Sequence, residues 1–121
     1  MNIEIPELDV AYGLEICGGD TETYLYSLRL YVTSLPPLLQ KMRAASEKTL
    51  HEYSINVHNV KSISEYIGAR EANRTARQLE SMAKEGDLAG LLERNESFIK
   101  YLEKLVGDIK SWLAETGNDG E

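Results

Sequence analysis

At 121 residues, 42% hydrophobic and 27% charged, the chain has the makings of one ordinary globular domain and is too short for two separate cores. Its net charge of −7, from 20 acidic against 13 basic residues, argues against nucleic acid and against an anionic membrane surface, both of which demand surplus Lys and Arg. No apolar run approaches the ~18 residues that a transmembrane helix needs.

Met1 to Pro6 have neither the basic nor the apolar region of a secretory leader, so a cytoplasmic location is expected. Residues 1–8 read as an N-terminal extension. The dominant apolar period is 3.6, which predicts an all-α chain. A first short helix spans Val10–Ile16 and is stopped by Gly18 and Gly19. The one cysteine, Cys17, can form no internal disulfide and no zinc site by itself, and is expected to behave as a small buried hydrophobe.

Asp20 is placed to cap a long second helix that starts at Thr21, with Tyr24, Leu28, Tyr31, Leu35, Leu38, Leu39 and Met42 as its core stripe. Pro36 and Pro37 fall inside that stripe and predict a kink or a break near Ser34. A third helix is predicted over residues 48–67 with Gly68 as its stop, and a fourth over residues 70–84 ending at Gly86. Asp87 caps a fifth, carrying Leu91, Leu92, Ile99, Leu102, Leu105, Ile109 and Trp112 at helical spacing. Residues 115–121 are rich in Gly, Asn and acids and are expected to fray. Long helices joined by short Gly/Asp turns predict an antiparallel, up-down four-helix bundle with the short first helix capping one end.

The third helix carries the chemistry. On a helical wheel, Leu50, Tyr53, Val57, Val60, Ser64 and Ile67 share one side, and His58 lies roughly opposite, among His51, Ser54, Lys61, Ser62 and Glu65, with Ile55 on the flank. A lone histidine is usually a bland surface or core residue. Here Lys61 stands one turn on, able to approach a dianion on the ring. Ser62 is small and leaves room for another protein, and Ile55 is an apolar neighbour of the kind a docking surface uses.

The run His58-Asn59-Val60-Lys61-Ser62-Ile63-Ser64-Glu65-Tyr66-Ile67-Gly68-Ala69 resembles the His-x-Leu-Lys-Gly-x-Ser-x-x-x-Gly-Ala motif of histidine-containing phosphotransfer (HPt) domains. The resemblance extends over residues 8–114, through Leu8-Asp9-Val10, Gly13-Leu14 and Gly18-Gly19-Asp20 to Leu79-Glu80 and Gly86-Asp87. Val60 stands in place of Leu, and Ser62 where Gly is commonest. The resemblance implies a domain over residues 9–114 that acts as a phosphorelay carrier, taking a phosphoryl group on His58 from one response-regulator receiver and passing it to another. It implies that Lys61 neutralises the phosphoryl oxygens, that Ser62 admits the receiver, and that Ser64 and Gly68 support helix packing. Ser54, Ile55, Ser62 and Glu65 then form the docking surface. The implied partners are receiver domains and a hybrid sensor histidine kinase, with the chain itself a monomer.

No cofactor and no metal are expected on this chain, whose sequence has no GxxxxGK[ST] phosphate loop; magnesium belongs on the receiver. The activity is that of a phosphocarrier with no nucleotide site of its own. A helical adaptor that binds receivers without carrying phosphate is the alternative, and it needs neither His58 nor Lys61. A four-helix metalloenzyme would require Glu-x-x-His pairs, which two histidines do not supply. His51 precedes His58 by seven residues, ~10 Å along the axis, too far for one metal ion. Arg70, Arg74 and Arg77 form a row on the fourth helix that reads first as a solvated stripe balanced by Glu71 and Glu80, and second as a basic edge for an acidic receiver. Lys84 follows at its end. The aromatic set Tyr24, Tyr26, Tyr31, Tyr53, Tyr66, Phe98, Tyr101 and Trp112 reads as mostly core.

Overall fold

A computed structural model describes residues 2–119, and among these it holds only helices and turns. The helices are α1 (Val10–Ile16), α2 (Thr21–Arg43), α3 (Leu50–Ile67), α4 (Arg70–Glu85) and α5 (Leu88–Glu115), with a single 3-10 turn at Glu47–Thr49. Neighbouring pairs are α2 with α3, α3 with α4, α4 with α5, and α5 with α2, which closes a four-helix ring. Short reversals join them, so the bundle is antiparallel, and α1 lies across α3 and α2 at one end. The expected architecture holds.

Local chemistry explains the boundaries. Asp9 and Asp87 each accept a backbone N–H of the first turn, from Tyr12 and Gly90, and so cap α1 and α5. Gly68 and Gly86 end α3 and α4 in the left-handed region, at φ +76 and +78. Residues 48 and 49, predicted as the start of α3, instead belong to the 3-10 turn. There Ser46 and Thr49 bond each other's backbone and side chain reciprocally, and the α-helical pattern begins only at Leu50.

The expected disruption near Ser34 is not a break: α2 runs unbroken through Pro36 and Pro37. Both prolines are exposed while Leu28, Tyr31, Leu35, Leu39 and Met42 are buried. Each proline costs ~3 kcal/mol inside a helix. Burial of an apolar stripe on both sides of them outweighs that, with the lost donors on the face that water reaches.

The core also departs from the wheel in detail. Leu38, Leu50 and Trp112 are half-buried, and Leu92 is exposed. Tyr26 and Tyr66 are exposed, not core. Asn95 and Leu113 join the interior instead. Ile3, Ile5 and Leu8 pack into the core, so the N-terminal extension is part of the bundle from residue 3. At the other end, where a frayed tail is expected, Asn118 N–H donates to the Leu113 carbonyl, and Arg29 donates to the Asn118 carbonyl. Met1, Gly120 and Glu121 lie outside the described residues.

Three buried tyrosines tie the bundle by their hydroxyls. Tyr24 donates to the Ile67 carbonyl at 2.8 Å, Tyr31 shares a bond with Ser64 Oγ at 2.9 Å, and Tyr53 donates to Asn95 Oδ1 at 2.7 Å. Asn95 in turn donates to the Met42 carbonyl. Each tyrosine bond links α3 to α2 or α5, so the helix bearing His58 is held from both sides. Satisfied buried polar groups specify one register, because any slip leaves them unpaired in a low dielectric. Cys17 is half-buried, its Sγ 3.9 Å from Ser27 Oγ.

Candidate functional site

α3 and α4 form the most extensive helix pair of the bundle, and Asn73 pins them by donating to the Lys61 carbonyl at 2.9 Å. His58 stands on the outer edge of this seam with 53% of its side chain exposed. It does not sit at the far pole of α3, as the wheel implied. Its ring is turned toward α4, where Nδ1 lies 2.9 Å from Glu80 Oε2.

Glu80 is the residue that sequence reasoning misplaced. Expected to balance an arginine stripe in solvent, it is buried, with 7% of its side chain exposed, and its ion pairs go to other residues than those arginines. Its neighbours Ala76, Leu79 and Ala83 are all buried, so an acid stands at the edge of the apolar stripe of α4. That spacing was the available signal. Three groups from two helices converge on it: Lys61 Nζ at 2.7 Å, His58 Nδ1, and Lys84 Nζ at 3.2 Å. Burial alone would raise its pKa. The bonds from Lys61, His58 and Lys84 overcome that and bring the carboxyl down to about 2.

The consequence for His58 is chemical. An ionised carboxylate only accepts hydrogen bonds, so Nδ1 must carry the proton. In the neutral ring the lone pair is then on Nε2. With the Nδ1 edge facing α4 and half the side chain open, the accessible edge of the ring is the one bearing Nε2. The arrangement presents an oriented nitrogen nucleophile, backed by a fixed negative charge and flanked by two ammonium groups.

The other predicted residues fall as follows. Ile55 is 49% exposed on the side of α3 that faces the end of α2, where it lines a shallow depression with Lys41 and Ala44, and Ser62 is half-buried. Ser54, expected on the outer face, is buried, its hydroxyl bonded back to the His51 carbonyl at 2.6 Å. The wheel grouped it with His58 on the outer face, and packing covers it. Glu65 is half-buried and accepts a bond from the Tyr12 hydroxyl, which fastens α1 to α3. His51 is exposed.

Ser64 lies in the core. Gly68 is buried, and a Cβ there would overlap the Asp9 backbone carbonyl. Asp9 N–H donates to the Gly68 carbonyl at 2.8 Å, so this glycine is where the start of α1 is seated on the end of α3.

Among the described residues, no helix is long and apolar enough to cross a membrane. The family model described as Hpt domain matches residues 27–112, which takes in most of α2, all of α3 and α4, and α5 as far as Trp112. Comparison with curated proteins and with solved structures gives no match.

Proposed function

Because the chain belongs to the Hpt domain family, whose members are histidine phosphotransfer modules that interact with receiver and kinase domains of two-component systems, we propose that His58 is its phosphoacceptor. It takes a phosphoryl group from the aspartate of one receiver and passes it to the aspartate of another. One observation carries this reading: a half-exposed imidazole with Nδ1 on a buried, ionised Glu80.

In the forward step the Nε2 lone pair attacks phosphorus in line with the aspartyl P–O bond. The N–P bond forms, and the receiver carboxylate leaves with the electron pair of the broken P–O bond. The ring retains its Nδ1 proton and becomes cationic, and Glu80 faces that charge at hydrogen-bond distance. Lys61 swings from Glu80 to a phosphoryl oxygen, while Lys84 remains as a partner for the carboxylate. Transfer of this kind depends on positioning and charge compensation. The chain is assigned no cofactor; the magnesium expected at the receiver's aspartate supplies charge from the other side. Ile55 and Ser62 form the apolar and small parts of the docking surface. Ser54 lies beneath it.

Incubation with a phosphorylated receiver should leave the chain carrying a phosphoramidate, lost in acid and retained in base. An acid-stable adduct would point to a hydroxyl acceptor and end the assignment. Lys61→Ala should slow transfer about fivefold, the equivalent of losing roughly 1 kcal/mol of charge-assisted bonding in the transition state. The urea midpoint should move little, since Glu80 keeps two partners. Unchanged transfer kinetics would remove Lys61 from the mechanism.

A further inference from the structure

A row of guanidinium groups runs up α4 from the seam that holds His58. Arg77 lies three residues before Glu80, about one turn, and Arg70 lies ten residues before it, ~15 Å along the axis. With Tyr12, Glu65 and Asn73, the row of Arg70, Arg74 and Arg77 lines an open cavity of about 380 Å³ between α1, α3 and α4. The three arginines differ in how they are held. Arg70 is fixed: its Nε donates to Asp9 Oδ2 at 2.7 Å and its guanidinium lies 4.4 Å from the Tyr12 ring centre. Arg74 pairs with Glu71 on its own exposed face. Among the described residues, Arg77 has no carboxylate partner and reaches only Asn73 Oδ1, at 3.3 Å.

The sign of this face sets it apart. Lys61, Lys84 and the three arginines give +5; Asp9, Glu65, Glu71 and Glu80 give −4, so the face is +1 where the whole chain is −7. The remainder of the molecule therefore carries −8. An acidic partner meets less repulsion at this face than over the rest of the surface taken together. A polyanion as extended as nucleic acid would overrun the patch onto acidic surface. A protein edge with a few carboxylates fits it.

We propose that the Arg74–Arg77 part of this row is the electrostatic half of the receiver-docking surface, capturing carboxylates on the rim of the receiver's aspartyl-phosphate site. The proposal rests on the reading of His58 as phosphoacceptor and extends its surface from α3 onto α4. Arg70 serves as a fixed wall of the cavity, and Arg77, one turn from Glu80, meets the partner nearest the reacting atoms. Charge placed this way acts mainly on encounter, raising the association rate and setting which partners approach.

The test is the double variant Arg74→Glu, Arg77→Glu, assayed with a phosphorylated receiver that loads the wild type. At low ionic strength its half-saturating receiver concentration should rise about tenfold with the saturating rate unchanged, and the gap should close as salt screens the charges. The neutral pair Arg74→Gln, Arg77→Gln should give a smaller rise in the same direction, which guards against a folding artefact of charge reversal. Loading from phosphoramidate, where the phosphoryl group moves to Nε2 and ammonia leaves, needs no docking and should match wild type in both variants. Equal half-saturation and equal salt dependence in wild type and variants would overturn the docking row while leaving His58 in place. Loss shared with phosphoramidate would place the arginines in the chemistry and overturn it too. A wild type that accepts phosphate from phosphoramidate but from no receiver would defeat the carrier reading itself, and the docking row with it.

Discussion

His58→Gln should take up no phosphate from a phosphorylated receiver, with the fold retained. Gln offers an amide that can still donate to Glu80, but it has no lone-pair nitrogen with the basicity of imidazole, so no N–P bond forms. The side chain is half-exposed and lies outside the buried core, so unfolding free energy should change by no more than ~0.5 kcal/mol. His51→Gln is the matched control. Its ring is on the same helix and exposed, yet no hydrogen bond to a carboxylate orients it, and it should load as wild type does. Radiolabelled receiver, followed by gel separation under alkaline conditions, reads both variants at once. Label retained by His58→Gln at wild-type level would refute the assignment.

The largest loss of stability is expected from Gly68→Ala. Two costs meet there. A residue with a Cβ at φ +76 pays ~1–2 kcal/mol for the left-handed conformation. The same Cβ would overlap the Asp9 carbonyl, and relieving that by backbone shifts costs ~1–3 kcal/mol more. Together these give roughly 2–5 kcal/mol, a large part of the stability of a domain this size. Gly86→Ala separates the terms: its φ is +78, but nothing lies within 4 Å of the added carbon, so only the first cost applies. Urea unfolding should place the Gly68→Ala midpoint well below that of Gly86→Ala. Equal midpoints would show that α1 is not seated through this glycine.

Much of the bundle could be read from residues with one local job. Asp87, Gly68 and Gly86 mark ends because each solves an end-of-helix problem within a few residues of itself. Pro36 and Pro37 misled because their cost is local while the burial of Leu35 and Leu39 that outweighs it is not. His58 was legible as an exposed histidine with Lys61 one turn on along α3. Glu80 was not, since its meaning arises only when α4 is laid beside α3 in one register. Ser54, read as outward beside His58, was misplaced for the same reason: a wheel knows one helix, and burial is decided by its neighbours.

The cluster around Glu80 has a further consequence if His58 carries phosphate. With the ring neutral, the ammoniums of Lys61 and Lys84 and the one carboxylate sum to +1. A transferred PO₃ unit adds a single negative charge as it leaves its bonding electrons behind, so the loaded site is neutral. Loading thus quenches the local attraction that drew the donor in, and the spent donor departs more readily than it came.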